Sequence, residues 1–169
     1  MSESHAFLAR TPFFGGLPEA ALEKLVSRLK PRELKKGEAI FRENDQGCAM
    51  YVVQAGDLLA LQHGESGKQV KLLRFLSGDF FGETTLIEMQ PRPFSVVAQA
   101  DSQLLELSGL DLYALYREDM KSYVIVLQNI NRELCRRLRR AGNRITEICD
   151  EEADDDITQI RPEGAPRKR

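Results

Sequence analysis

The sequence has little of what most catalytic and metal centres are built from. It holds two histidines, His5 near the amino terminus and His63 at an expected hairpin tip. Neither sits where a Ser/His/Asp arrangement would find its base, and no His, Cys and carboxylate cluster has metal-ligand spacing. The expectation is a non-enzyme with no catalytic residues and no metal. The three cysteines, Cys48, Cys135 and Cys149, form no CxxC pair. An odd count without a pairing pattern fits free thiols in a reducing cytoplasm. No apolar run nears the ~18 residues that span a bilayer, so no membrane insertion is expected. The opening MSESHAFLARTPFFGG lacks the charged region and unbroken apolar stretch of a secretory leader. A net charge of -2 excludes a nucleic-acid polycation.

What is present fits one domain with appendages: 169 residues, 42% of them hydrophobic. LPEAALEKLVSRL, residues 17–29, reads as a helix, with Pro18 suited to its first position. Leu22, Leu25, Val26 and Leu29 share one face. The texture then changes. Glycines recur at 37, 47, 56, 64, 67, 78 and 82, and between them lie AIF, MYVVQA, DLLALQH and QVKLLRFL. FSVVAQA and SQLLELS follow. Short strands at roughly ten-residue intervals, with turn residues between, point to a mainly β sandwich or barrel. QHGESGKQ is the hairpin tip.

From Leu110 the period is helical again. GLDLYALYRED is a short helix, and residues 121–148 are a long one without proline. Within it Val124, Asn131, Leu138 and Ile145 are seven apart, as are Leu127, Leu134, Ala141 and Ile148. That is the a/d pattern of a two-stranded seam, with Asn131 a polar a position that sets register. The chain is therefore expected to form a homodimer through the 124–148 helix, the alternative being a helix that packs on its own barrel. Arg132, Arg136, Arg137, Arg139, Arg140 and Arg144 read as a solvated face, the alternatives being a self-neutralising contact with the acidic DEEADDD run or a docking site for a partner. The expected domain runs over 7–148. Residues 149–169, with DEEADDD and then RPEGAPRKR, read as an acidic, then basic, flexible tail.

One segment carries chemistry: GDFFGETTLIEMQPRPFSVVA, residues 78–98. Gly82 lets backbone approach a ligand closely. GETTL can begin a helical turn whose first N–H groups, at Thr84 and Thr85, favour an anion. Arg92 supplies a planar fork that matches phosphate oxygens two at a time. Glu83 would repel a phosphate but suits a hydroxyl donor such as a ribose. A compact nucleotide meets both demands. A triphosphate does not, since there is no GxxxxGK[ST] and one arginine only in the segment. The alternative is that Glu83 and Arg92 pair with each other across a turn.

Phe81-Gly82-Glu83, Leu86, Pro91-Arg92 and Ser95-Val96 resemble the phosphate-binding cassette of the cyclic nucleotide-binding domain family. Upstream, Gly37, Asp45, Gly47, Met50-Tyr51 and Gly56 resemble that family's strands and turns, as do LSGDFFGE and FFGGLPEAALEKL. The similarity covers about residues 7–148. It implies an antiparallel β-roll or jelly roll, mainly β with flanking helices (α+β): an N-terminal helix and a long C-terminal one. It implies that Glu83 binds a ribose 2′-hydroxyl and Arg92 the cyclic phosphate. Gly82 and the backbone at Thr84 and Thr85 would line the pocket, and Ser95 would approach the phosphate or base. A residue of the long helix would cap the base, with Arg136, Arg137, Arg140 and Ala141 as candidates. The resemblance implies cAMP, or cGMP, as ligand.

The sequence departs from the pattern after the arginine. Pro93 and Phe94 stand where small residues are usual. Proline has no N–H to lend to a phosphate, a loss of about 1–3 kcal/mol for a buried anion. Pro93 also biases Arg92 towards an extended backbone. Some twenty residues follow Ile148, too few for a helix-turn-helix reader, so no specific DNA binding is expected. The expected function is a catabolite-activator-like sensor module without a DNA-binding domain, signalling to an unidentified protein partner. The alternative is an assembly protein on the same fold that has lost its ligand.

Overall fold

A computed structural model describes residues 3–64 and 67–151 of the chain. It divides into two compact units, one up to Glu133 and one from Leu134.

The first unit is mainly β with flanking helices. Two helices open it, α1 (Glu3–Arg10) and α2 (Glu19–Val26), with a 3₁₀ turn (Pro12–Phe14) between them. Eight strands follow: β1 (Lys30–Leu34), β2 (Ala39–Phe41), β3 (Ala49–Ala55), β4 (Asp57–His63), β5 (Gln69–Leu76), β6 (Phe80–Phe81), β7 (Ser95–Ala98) and β8 (Ser102–Ser108). A short α3 (Thr84–Glu88) interrupts them between β6 and β7. The strands form two antiparallel sheets in the orders β1-β8-β3-β6 and β2-β7-β4-β5. Then come α4 (Gly109–Glu118) and α5 (Met120–Glu151). No helix among the described residues is long and apolar enough to cross a membrane.

The strands expected over 39–41, 57–63, 69–76 and 102–108 form with those bounds, and β3 begins one residue early. The helix expected over 17–29 is shorter, with Pro18 as its N-cap residue instead of its first turn. β1 escaped the sequence reading because KPREL is polar and exposed along four of its five positions. Pro31 is tolerated there because β1 lies at a sheet edge. β6 is two residues long, below what alternation can signal. α1 was not anticipated either. The flexible tail expected at 149–169 lies outside the described residues from position 152 onward.

The pair Phe80-Phe81 shows how the layers are built. Adjacent strand residues face opposite sides. Phe80 meets the edge of Phe13 at 5.4 Å, on the helical side. Phe81 stacks with Phe75 at 4.8 Å and Tyr51 at 5.5 Å, in the interior between the sheets. That interior is an apolar cluster of Phe41, Tyr51, Val53, Leu58, Phe75, Phe81, Val96, Ala98 and their neighbours. Phe94 packs against it, part-buried. Ser108 opens α4 through a capping box with Asp111, which satisfies orphan N–H groups at that helix start.

In the first unit α5 buries Ser122, Val126, Asn129 and Ile130. Of the heptad positions, Leu127 and Leu134 are part-buried, and the others lie on a more open stripe. Val124 is 43% exposed and Asn131 is exposed. In the second unit, Leu138 is 73% exposed, Ile145 62%, and Ala141 and Ile148 are exposed. The helix thus has a face packed on its own unit and a separate apolar stripe left open.

Asn129 is the polar anchor of the packed face. Its Nδ2 donates to the carbonyls of Phe13 at 3.0 Å and Gly15 at 2.8 Å. Its Oδ1 accepts from Arg132 at 2.8 Å. Replacing it by leucine keeps the volume but leaves buried carbonyls without a donor. Asn129→Leu is expected to cost about 2 kcal/mol in urea unfolding. A midpoint equal to wild type would remove Asn129 from the forces holding α5 down.

Candidate ligand-binding site

The chain leaves β6 through Gly82, whose φ of +83° is a left-handed conformation that side chains rarely adopt. Space forbids a side chain there too. A Cβ on Gly82 would stand 2.8 Å from Arg92 Nη1 and 3.1 Å from the Ala49 carbonyl oxygen. Glu83 then caps α3, and Leu86 N donates to the Glu83 carbonyl at 3.0 Å. The helix stops at Met89, itself left-handed with φ of +53°. The chain returns through Pro91-Arg92-Pro93 into β7.

Arg92 is only 3% exposed. Its Nη1 donates to the Gly82 carbonyl at 3.1 Å and to Thr85 Oγ1 at 2.9 Å. Its Nη2 donates to the Ala49 carbonyl at 2.7 Å. The guanidinium carbon lies 4.1 Å from the centroid of the Phe41 ring and 5.9 Å from that of Tyr51, a cation–π arrangement. The backbone is clamped as well: Arg92 N donates to Asp45 O, and Asn44 N to Arg92 O, both at 2.9 Å. Burial lowers the guanidinium's pKa from its ordinary value, against the pull of Tyr51, Cys48, Asp45 and, least, Glu83. The group stays charged. Burial likewise pushes the Tyr51 phenol up.

One nitrogen of this fork, Nε, is left over. Arg92 Nε is buried and makes no hydrogen bond. It faces a notch at Gly47, where a Cβ would stand 2.7 Å from Nε and 2.8 Å from Nη2. An oxygen bridging two guanidinium nitrogens sits at such distances. Close by in sequence, Glu83 is 1% exposed, and its Oε2 is buried without accepting a hydrogen bond. Buried polar atoms of native proteins are nearly always satisfied. The residues present therefore fit a ligand that brings an anionic oxygen and a hydroxyl.

The expected residues are brought together in part. Gly82, Thr85 and Arg92 are in direct contact, with Thr85 Oγ1 also donating to the Gly82 carbonyl at 3.0 Å. Glu83 and Thr84 form the start of α3 beside them. Ser95 is placed differently. Its neighbours Phe94 and Val96 pack at the interior cluster, while its Oγ accepts from Glu43 N at 2.9 Å. Ser95 lines a separate polar cleft of about 380 Å³ with Arg42, Glu43, Asn44, His63, Gln69 and Val97. There His63 Nδ1 lies 3.1 Å from Glu43 Oε2. Hydrogen bonds from the His63 backbone and ring hold the Glu43 carboxyl below its usual range. The candidate base caps, Arg136, Arg137, Arg140 and Ala141, belong to the second unit.

Sequence reasoning missed Phe41, Gly47 and Ala49 as partners of the arginine. Ala49 acts through a carbonyl, which leaves no trace in residue type. Phe41 looked like an ordinary strand residue, and Gly47 like an ordinary turn.

The family model described as "Cyclic nucleotide-binding domain" matches residues 31–119, a span that contains all six candidate residues. The chain is 32% identical over 143 residues to the Cyclic AMP receptor protein of Thermus thermophilus, covering 85% of this chain and 64% of that protein. It is 31% identical over 102 residues to a cAMP-dependent protein kinase regulatory subunit of Aspergillus niger, covering 60% of this chain and 24% of that one. It therefore spans less than two thirds of the length of these relatives. The crystal structure of a cyclic nucleotide-binding domain from Methylobacillus flagellatus superposes with a TM-score of 0.81 over 92% of this chain and 88% of that one. At 19% identity that likeness is one of fold, the β-roll with flanking helices.

Proposed function

Since the chain belongs to the cyclic nucleotide-binding domain family, we propose that it is a non-catalytic regulatory module that binds a cyclic nucleotide, with cAMP the first candidate and cGMP the second. The observation that carries the reading is the buried fork of Arg92 with its unused Nε facing the Gly47 notch. A cyclic phosphate supplies the oxygen that this edge lacks. Glu83 takes the ribose hydroxyl, and Gly82 with the backbone at Thr84 and Thr85 lines the phosphate. Ser95 acts indirectly, by holding the 42–45 turn whose backbone clamps Arg92. No proton or bond is moved. Occupancy changes the balance between two states of the cassette and so a protein partner's affinity, by no more than the ligand's preference between those states.

The module acts as a homodimer in the cytoplasm. The exposed stripe of Val124, Leu138 and Ile145, with Asn131 among them, supports a seam to a second copy. Three exposed free cysteines fit a reducing compartment.

A second reading has its own support. Both Nη groups of Arg92 already donate to the protein, and Pro93 offers no N–H. On that reading the fold is a ligand-independent assembly module.

Isothermal titration of nucleotide-stripped protein separates the two. cAMP or cGMP is expected to bind at micromolar or tighter, with 5′-AMP much weaker. Arg92→Leu is expected to lose about 2–5 kcal/mol of that binding, with a thermal melt as the control for folding. No heat with any of the three nucleotides, at several temperatures, would leave the assembly reading. The seam is tested separately. Sedimentation at micromolar protein is expected to give a dimer that Leu138→Lys dissociates. A monomer for the unsubstituted chain would discard the seam.

A further inference from the structure

We infer that Phe94 is a plug built into the ligand site, so that a nucleotide binds only when this ring leaves the interior. The inference rests on the cyclic-nucleotide reading above and adds to it the residue that sets how tightly the ligand is held.

Phe94 stands in the bend just before β7, whose Val96 and Ala98 are fully buried in the interior cluster. Phe94 packs against that cluster but is only part-buried. The cluster includes Phe41 and Tyr51, the two rings over which the Arg92 guanidinium sits. Fork and ring therefore share one apolar wall, two residues apart in sequence. A ligand whose phosphate is held at the fork must lay its flat base against apolar surface within a sugar's length of that phosphate. Phe94 already covers part of that surface.

The linkage between the two residues makes the ring a switch as well as an obstacle. Pro93 joins them, with φ fixed and no N–H to give to a neighbouring strand. Its carbonyl accepts from the half-buried Gln62 side chain at 3.2 Å, a light tether. On the other side, the Arg92 backbone is clamped by Asn44 and Asp45. Phe94 can swing from a rigid proline while the fork stays in place. Its partial burial makes its withdrawal cheaper than that of the fully buried Val96 or Ala98. The apparent affinity of a protein that binds only in its open state is reduced by the fraction open.

Calorimetry with cAMP, and with 5′-AMP as control, is run on the full chain, Phe94→Ala, Phe94→Leu and Phe94→Ala combined with Arg92→Leu. Phe94→Ala is expected to bind cAMP about tenfold tighter than the unsubstituted chain, which corresponds to about 1.4 kcal/mol. Phe94→Leu is expected to gain severalfold and serves if the alanine variant does not fold. The double variant is expected to lose the gain, since the fork is still the anchor. If the unsubstituted chain binds cAMP and both Phe94 variants bind equally or more weakly, the ring is a wall or a base platform and the plug is wrong. If no variant binds, the nucleotide reading fails, and the plug with it.

Discussion

A charged guanidinium buried in an apolar interior is the constraint around which the cassette is arranged. Such a group is tolerated only when its donors are met and its charge is matched. Here two carbonyls, a threonine hydroxyl and an aromatic face meet most of the need. Each imposes its own condition. The Gly82 and Ala49 carbonyls can come this close because neither Gly82 nor Gly47 carries a side chain. Phe41 must be aromatic and must lie inward. The 42–45 turn must reach the Arg92 backbone, and the Ser95 hydroxyl holds that turn in place. The nitrogen left unmatched, Nε, marks where the structure expects something it does not itself contain.

Around this point the protein works in two layers. One residue step along β6 sends Phe80 to the helices and Phe81 to the interior between the sheets. The short cassette thereby touches both the interior between the sheets and the helical layer. Anything that shifts β6 or α3 is felt on both sides. α5 is built the same way. Its buried face is fixed by Asn129 to the 3₁₀ turn, while its heptad stripe stays open. Two asparagines two residues apart thus have different surroundings: Asn129 is buried and bonded, Asn131 exposed.

Much of this was legible in the sequence, for physical reasons. Interior strands alternate, and turns need glycine, so β4 and β8 could be read with their bounds, while the edge strand β5 was read from its apolar residues and flanking turns. The glycine, the acid and the arginine of residues 82–92 stood out by type and spacing, and the structure buries all three. What could not be read depends on backbone or on shape. The partner of Arg92 at Ala49 is a carbonyl. β1 is an exposed edge with no alternation, and β6 is too short to have any. The direction of Ser95 follows from strand register, which spacing alone does not give. Phe94 was visible as a departure. Where its ring goes was not.

The most direct test of the account is the ¹H–¹⁵N spectrum of the arginine Nε–Hε groups, with the Arg92 signal assigned by its loss in Arg92→Lys. Without nucleotide this Hε has no acceptor. Saturating cAMP is predicted to move it strongly downfield, because a phosphate oxygen then accepts from the nitrogen that makes no hydrogen bond within the protein. An Arg92 signal unmoved at saturation, while other resonances shift, would show that the ligand is held elsewhere and that the buried fork is only part of the fold.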